Sequence, residues 1–288
     1  MELQCMVLSE EQQRQAQECG WIPDDLDFEP EKSIFFGGMT EAQKLAALAI
    51  YSGNAGKPGE LELVYVCTAD AWLGNGAGIR LLEMAEEYLQ EQGIQKIHSE
   101  WQGTEAELAR LAEYLGRAGY RPATEPAHLC ICPQGYFQNS TLDRLKDAQP
   151  EKWRSVTEIR DYYDHRLQRL LKKHETTGFY ISREEFLPEL CRFYIEDDEI
   201  RGAACMRYRR DGNLTTMKGY LSPDLKYPYA MTLLIAALVH DAGHMVKPGK
   251  RIYLKIYRNG FYDSVKKLFG AIPEECFFQE YERRLGGR

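Results

Sequence analysis

The sequence predicts an α/β fold whose elements follow the same order in both halves of the chain. Short apolar runs typical of strands alternate with longer segments whose apolar residues keep helical spacing. A polar stretch containing glycine and proline separates two such series near the middle of the 288 residues. With 44% hydrophobic residues, the chain has enough apolar side chains to build a sizeable core.

The first half is predicted to contain three helices among its strands. Ser9 and Gln12 have the spacing of a capping box, so a helix is expected to begin there and to end near Cys19. The remaining elements are strands at 33–36, 44–51 and 60–68, a helix from about 79 that ends at Gly93, a strand at 95–101, a helix at 105–117 and a strand at 128–132. The 44–51 run also fits the start of a helix, and the glycine-rich segment 52–59 is expected to be a hairpin loop.

The second half repeats this order after a polar segment. We expect domains at 1–135 and 151–288, joined by a linker at 136–150. The predicted elements are a helix at 156–174, a hairpin over 193–209, a strand at 214–221, a helix at 229–246, a strand at 251–257, a helix at 262–269 and a strand at 275–281. The two halves are not close in sequence, so only the pattern is repeated.

Composition excludes several classes of protein. The eight cysteines have no metal-binding spacing, which predicts buried free thiols in a reducing compartment. The N-terminus has no signal-peptide pattern, and the longest apolar stretch, 230–239, is far shorter than the roughly twenty residues of a membrane-spanning helix. We therefore expect a cytoplasmic protein with no membrane partner. The net charge of −8 argues against nucleic-acid binding and favours cationic partners.

The segment Leu73–Gly78, LGNGAG, lies between a predicted strand and a predicted helix. A helix begins with backbone N–H groups that lack partners, and they point to the positive end of the helix dipole. Glycine there lets phosphate oxygens approach, because no Cβ stands in the way. The segment therefore predicts a pyrophosphate site, although glycine-rich turns without a ligand are also common.

This segment resembles motif A of the GCN5-related N-acetyltransferases, the GNAT superfamily, whose pattern is Q/R-x-x-G-x-G/A. Gly76 and Gly78 match it, whereas Leu73 replaces the Gln or Arg. The resemblance, which covers nearly all of residues 1–133, implies two GNAT-like domains in tandem, each a mixed, mostly antiparallel sheet flanked by helices. In the second half, 222–230 lacks the glycines, which implies a degenerate copy.

The resemblance also implies acetyl-CoA as co-substrate. By this likeness the pantetheine arm contacts Val66, Cys67 and Thr68. The pyrophosphate-binding residues would be Gly74, Asn75, Gly76, Ala77 and Gly78.

The implied reaction is N-acetylation by direct attack of a primary amine on acetyl-CoA. The family's tyrosine, which protonates the departing thiolate, aligns with Leu115, and Tyr114 is one position away, so Tyr114 is our candidate acid. Glu62, His98 and Glu100 lie on the two strands beside the expected cleft and are candidates for the base. Solvated edge charges are the alternative explanation of those three residues.

Two other functions remain open at this stage. The replacements at Leu73 and Leu115 also fit a non-catalytic acyl-CoA-binding or regulatory module with the same fold. His240 and His244 have the i, i+4 spacing of a metallohydrolase, although a helix end explains them as well. The acceptor is expected to be a cationic small-molecule or peptide amine, and a homodimer is possible.

Overall fold

The computed structural model describes residues 3–24, 26–53, 58–137, 144–145, 153–155, 187–196, 199–216, 219–222 and 230–286. These residues form two compact units. The first unit is Met1–Pro126 with Phe277–Arg288, and the second unit is Ala127–Cys276. The predicted helix at 156–174 lies outside the described residues, as do most of the predicted linker and most of the segment 222–230.

The first unit contains a mixed sheet and three helices. Its strands are β1 (Gln4–Val7), β2 (Ser33–Met39), β3 (Leu45–Gly53), β4 (Glu60–Thr68), β5 (Lys96–Gly103), β6 (Arg121–Pro122) and, from the end of the chain, β14 (Glu274–Arg284). Its helices are α1 (Glu10–Glu18), α2 (Ala77–Glu91) and α3 (Glu105–Arg117). The sequence did not predict β1, which is a short strand.

Strands β1 to β4 pair antiparallel in chain order, so the 44–51 run is a strand of a hairpin with β4. Strand β5 is parallel to β4 and antiparallel to β14. The predicted mixed, mostly antiparallel sheet is therefore confirmed for this unit.

The helices begin where local sequence signals place them. Ser9 and Gln12 form the predicted capping box of α1, and Thr104 and Glu107 form a second capping box at α3. The inward face of α2 carries Leu81, Leu82, Ala85 and Leu89, all fully buried. These side chains pack against sheet residues in one apolar cluster, which fixes α2 on one face of the sheet.

One charged side chain is buried within that packing. Glu86 of α2 is only 1% exposed and accepts a hydrogen bond from the Tyr51 hydroxyl at 3.2 Å and another from the Tyr120 hydroxyl. Its other oxygen lies 2.6 Å from Nη1 of Arg283, which reaches in from β14 and also donates to the carbonyl of Ala118. Burial raises the pKa of Glu86 to about 7, although Arg283 and the two tyrosines act in the opposite direction. This cluster ties β14 to both α2 and the end of α3.

The second unit repeats the arrangement. Its strands are β7 (Ala127–Pro133), β8 (Trp153–Ser155), β9 (Cys191–Glu196), β10 (Glu199–Tyr208), β11 (Leu214–Thr216), β12 (Tyr220–Leu221) and β13 (Arg251–Ile256), and its described helices are α4 (Ala230–Met245) and α5 (Asn259–Phe269). Strands β8 to β11 pair antiparallel in chain order. Strand β13 is parallel to β11 and antiparallel to β7.

The compact units differ from the predicted domain boundaries in two strands. Strand β7, which the sequence analysis placed in the first domain, pairs with β13 of the second unit over Ala127–Pro133. Strand β14, which it placed in the second domain, pairs with β5 of the first unit. Each half of the chain thus supplies the strand that flanks the parallel pair of the other half. The division into 1–135, 136–150 and 151–288 remains a prediction about the repeated pattern.

Candidate functional site in the first unit

The two parallel strands of the first unit separate soon after they begin. Their ladder consists of the pairs Glu60↔Lys96, Leu61↔Ile97 and Glu62↔His98. Just beyond it, β4 has a bulge, because Tyr51 pairs with Leu63 whereas Ile50 pairs with Tyr65, which leaves Val64 as an extra residue. A bulge bends its strand, so the rest of β4 is free to diverge from β5 and a gap opens between them.

The glycine loop lies at the end of β4, as predicted. Gly74 and Gly76 both have φ of +77°, a conformation that L-residues with a side chain rarely adopt. Gly76 is the residue before α2, and no side chain caps that helix. Among the described residues, the N–H groups of Gly74, Gly76, Ala77 and Gly78 have no backbone acceptor. The loop therefore presents several converging donors at the positive end of a 15-residue helix.

The side chain of Tyr114, a residue of α3, reaches the first turn of α2. A Cβ built on Gly78 would collide with the Tyr114 hydroxyl and would lie 2.7 Å from Oγ1 of Thr68. The Tyr114 hydroxyl on α3, the Thr68 side chain at the end of β4 and Gly78 of the glycine loop therefore lie close together. Burial, together with the nearby Cys67 thiol, raises the pKa of Tyr114 to about 12, so its hydroxyl keeps its proton at neutral pH. Leu115, the position that the family pattern favours, is fully buried in the apolar core.

The predicted residues on β4 divide between two faces of the strand. Val66 packs towards the cluster that contains α2, whereas Cys67 packs on the opposite side, with Tyr65. The Cys67 thiol lies 3.7 Å from the carbonyl oxygen of Trp21, and burial raises its pKa. Cys67 is thus a neutral thiol beside the gap. The alternation on β4 follows from the bulge, which shifts the phase of the side chains by one residue.

The candidate bases lie at the closed end of the gap. Glu62 and His98 are directly paired across the β4–β5 ladder, and Glu100 lies two residues further along β5 on the same face as His98. Sequence reasoning missed Glu60, whose Oε2 lies 2.6 Å from Nε2 of His98. A carboxylate only accepts hydrogen bonds, so the proton of this hydrogen bond is on Nε2, and in the neutral form of the ring the lone pair is on Nδ1. The parallel register of the two strands was the signal that would have revealed this pair.

The residues around the gap fit the coenzyme arm of an acyl-CoA. A cradle of glycine N–H groups suits a pyrophosphate, and the diverging strands leave backbone groups of β4 available to the amides of pantetheine. Gly78 has no space for a Cβ because of the Tyr114 hydroxyl and Thr68. Leu73 is 62% exposed. It lies where the family has a polar side chain, and it offers only apolar contact.

The parallel strands of the second unit are also joined by a side chain. Strands β11 and β13 pair at Leu214↔Ile252 and Thr215↔Tyr253. At the next position the backbone N–H of Lys255 donates to Oγ1 of Thr216 at 2.8 Å. A buried hydroxyl therefore joins the two strands at the last described residue of β11.

The two histidines of the second unit are close together on α4. The rings of His240 and His244 have centroids 4.9 Å apart, and Nδ1 of His240 lies 3.2 Å from Oδ1 of Asp241. Asp241 also forms an ion pair with Arg192. Within the parts of the chain that the structure describes, there is no group of three or more His, Cys, Asp or Glu residues placed to hold a metal ion. The same parts contain no helix that is both long enough and apolar enough to span a bilayer.

Comparison with known proteins places this site in a family. Residues 2–120 match the model described as the acetyltransferase (GNAT) family. A search of curated proteins found no match. This match supports acyl transfer as the general type of reaction.

Solved structures extend the likeness over the whole chain. A tandem GNAT protein from the clavulanic acid biosynthesis pathway, solved without acetyl-CoA, aligns over 100% of both chains with a TM-score of 0.57 and 11% identity. A GCN5-related N-acetyltransferase from Sphaerobacter thermophilus covers 94% of this chain and 85% of its own, with a TM-score of 0.50 and 14% identity. A GCN5-related glucosamine N-acetyltransferase region of a fungal multi-domain β-N-acetylglucosaminidase covers 98% of this chain and 38% of its own, with a TM-score of 0.60 and 11% identity.

At these identities the structures establish the fold alone, and they confirm the tandem arrangement that the glycine loop and the order of elements predicted. Residues 2–120 match the GNAT family, and the fold of the whole chain is similar to that of a tandem GNAT protein.

Proposed function

We propose that the protein is an N-acetyltransferase that binds acetyl-CoA in the first unit and transfers the acetyl group to a primary amine. The main support is the meeting of the Tyr114 hydroxyl, Thr68 and the glycine loop at the mouth of the gap between β4 and β5. The pyrophosphate would be held by the N–H groups of Gly74, Gly76, Ala77 and Gly78, with Asn75, whose own N–H donates to the carbonyl of Trp72, within the same loop. The arm would lie along Val66, Cys67 and Thr68.

The reaction requires one bond to form and one to break. The amine nitrogen attacks the thioester carbonyl carbon, the carbon–sulfur bond breaks, the amine loses a proton and the sulfur gains one. Tyr114 is protonated throughout the neutral pH range because its pKa is raised to about 12. Its hydroxyl is therefore suited to donate a hydrogen bond to the sulfur as negative charge develops there.

Among the three candidate bases, His98 has the strongest support. Oε2 of Glu60 accepts a hydrogen bond from Nε2–H of His98, with 2.6 Å between the two heavy atoms. Nδ1 is then the atom that takes up the proton from the amine. Glu62 and Glu100 would then contribute negative charge around the imidazole rather than accept the proton themselves. A charge of this sign stabilises the protonated imidazole that forms when the amine is deprotonated.

The face that carries His98 favours a cationic acceptor. Glu282 and Glu280 of β14 lie opposite His98 and Glu100, so their side chains share that face with Glu60 and Glu62. Lys96 pairs with Glu282 at 2.5 Å and offsets part of the negative charge. The remaining excess of carboxylates would raise the local concentration of amines and attract their protonated forms. The second unit, which contains most of the predicted domain 151–288, would act without a coenzyme of its own, since Thr216 joins its two parallel strands.

A thiol-release assay with acetyl-CoA and a panel of amines tests this function. The panel contains a polyamine, an aminoglycoside and a peptide with a free N-terminus, and a reaction without amine is the control. Amine-dependent thiol release that Tyr114→Phe reduces, while the exposed Tyr88→Phe leaves it unchanged, would support the proposal. Tight binding of acetyl-CoA without turnover of any amine would instead favour the non-catalytic acyl-CoA-binding module.

A further inference from the structure

Strand β5 carries two buried polar atoms that have no hydrogen-bond partner among the described residues. They are Oγ of Ser99, whose residue is 3% exposed, and Nε1 of Trp101. No other neutral side chain in the described parts of the chain has such an atom. Ser99 and Trp101 are therefore the two neutral cases, and they are only two residues apart.

Both residues lie on the helix side of the sheet, on the part of β5 that borders the gap. The β4–β5 ladder ends at Glu62↔His98, so Ser99 is the first residue of β5 beyond it. Alternate residues of a strand share a face, which places Ser99 and Trp101 on the side of Ile97, a member of the cluster beneath α2. Trp101 packs against the same cluster as Tyr114. The two unpartnered atoms are thus on the same side of the sheet as the Tyr114 side chain.

A buried polar group without a partner is expensive. Leaving such a donor unsatisfied costs about 1–3 kcal/mol, and folded proteins retain few of them. Alanine and phenylalanine at these positions would occupy similar space without that cost. Two orphaned groups on one face, beside a gap, indicate a partner that binds there. An indole N–H donates and never accepts, so the partner of Trp101 must offer an acceptor such as an amide carbonyl oxygen.

We propose that Ser99 and Trp101 bind the amide groups of the pantetheine arm of the acyl-CoA from the β5 side of the gap. This rests on the proposed function, in which the arm lies between β4 and β5. The arm contains two amides along an otherwise aliphatic chain, which matches a pair of polar atoms set in an apolar surface. The backbone of β4 would hold the arm from one side, while the two β5 side chains would hold it from the other.

The test compares the stability of the free protein with its affinity for two ligands. Ser99→Ala is expected to leave the free protein as stable as wild type or more so, because it removes an unsatisfied hydroxyl. The same substitution is expected to weaken CoA binding by about 5- to 10-fold, the effect of one lost hydrogen bond. Trp101→Phe is expected to weaken CoA binding by a similar factor. Adenosine 3′,5′-bisphosphate, which lacks the arm, should bind wild type and both variants equally.

Thr216→Val of the second unit is the matched control. It also removes a buried hydroxyl from a strand, but that hydroxyl accepts a hydrogen bond from Lys255 at 2.8 Å. Thr216→Val should therefore lower stability and leave the Kd for CoA unchanged. The measurements are urea unfolding of the free proteins and titration calorimetry with CoA and the bisphosphate.

The outcomes separate this inference from the proposed function. If wild type binds CoA and Ser99→Ala loses stability with no change in Kd, the hydroxyl is structural and the inference is overturned, while the proposed coenzyme site stands. If a variant binds CoA and the bisphosphate more weakly by the same factor, the inference is also overturned, because the effect would then not involve the arm. If wild type binds neither ligand, the proposed function fails and the inference fails with it.

Discussion

Replacing Glu86 with glutamine should change the pH dependence of stability in the first unit. The pKa of Glu86 is raised from 4.5 to about 7 because the carboxyl is buried under α2. The folded state therefore holds this proton more tightly than the unfolded chain, so the contribution of Glu86 to stability is greatest at low pH and declines as pH rises from 4.5 to about 7. Glutamine resembles the protonated carboxyl and has no such dependence.

The expected size of the effect follows from the pKa. Each pKa unit corresponds to about 1.4 kcal/mol, so wild type should lose about 3 kcal/mol relative to Glu86→Gln between pH 4.5 and pH 8. Urea unfolding at several pH values, followed by tryptophan fluorescence, measures this difference. Three of the four tryptophans, Trp21, Trp72 and Trp101, belong to the unit that contains Glu86, so the signal reports mainly on that unit.

The neighbouring residue provides a control for this experiment. Glu87 is exposed on the same helix, and Glu87→Gln should follow wild type at every pH. A difference between Glu86→Gln and wild type that stays constant from pH 4.5 to pH 8 would refute the reasoning. That result would mean that Arg283 and the two tyrosines fully compensate the buried charge in the folded protein.

Three further substitutions test the site and its supports. Tyr114→Phe should reduce the rate of acetyl transfer by about 10²-fold or more with little change in the Kd for acetyl-CoA, measured by thiol release and calorimetry, and a large loss of affinity would contradict its role as acid. His98→Gln should likewise lower the rate by about 10²-fold while the coenzyme still binds, and an unchanged rate would return the choice of base to Glu62 or Glu100. Thr104→Ala removes the capping box of α3 and should cost about 1 kcal/mol in urea unfolding, so an unchanged midpoint would contradict the capping role.

Features that depend on neighbouring residues in the chain could be predicted from the sequence. The capping box at Ser9 and the glycine loop at 73–78 each need only a few consecutive residues, and the structure has both. The helix at 105–117 was predicted with its observed bounds, since its N-cap and the glycine beyond its end are local signals.

Features that depend on strand pairing could not be predicted. Strands β7 and β14 resemble other short apolar strands in sequence. Strand β7 of the first half pairs with β13 of the second half, and β14 of the second half pairs with β5 of the first half. No local sequence signal predicts this exchange. The hydrogen bond between Glu60 and His98 requires the parallel register of β4 and β5, and the bulge at Val64 shows no sequence signal of its own. Glu86 lies in a helix that is otherwise apolar on its inner face, and its partners come from three distant segments.

The choice between Tyr114 and Leu115 illustrates what the fold adds. Family spacing favoured Leu115, and the sequence placed Tyr114 one residue away. The structure buries Leu115 in the core and directs the Tyr114 hydroxyl to Gly78. Adjacent helical residues point in directions about 100° apart, so a shift of one position decides which side chain reaches the gap.

Binding of acetyl-CoA, measured by calorimetry, tests the central claim most directly. Wild type should bind, and Gly76→Asp should weaken binding by about 10-fold or more, because it strains the +77° backbone and adds a negative charge at the phosphate seat. Gly93→Asp is the matched control: Gly93 has φ of +86° and lies beyond the far end of the same helix, so this variant should bind as wild type does. Absence of binding to wild type, or equal loss in both variants, would contradict the claim that the glycine loop of the first unit holds the coenzyme.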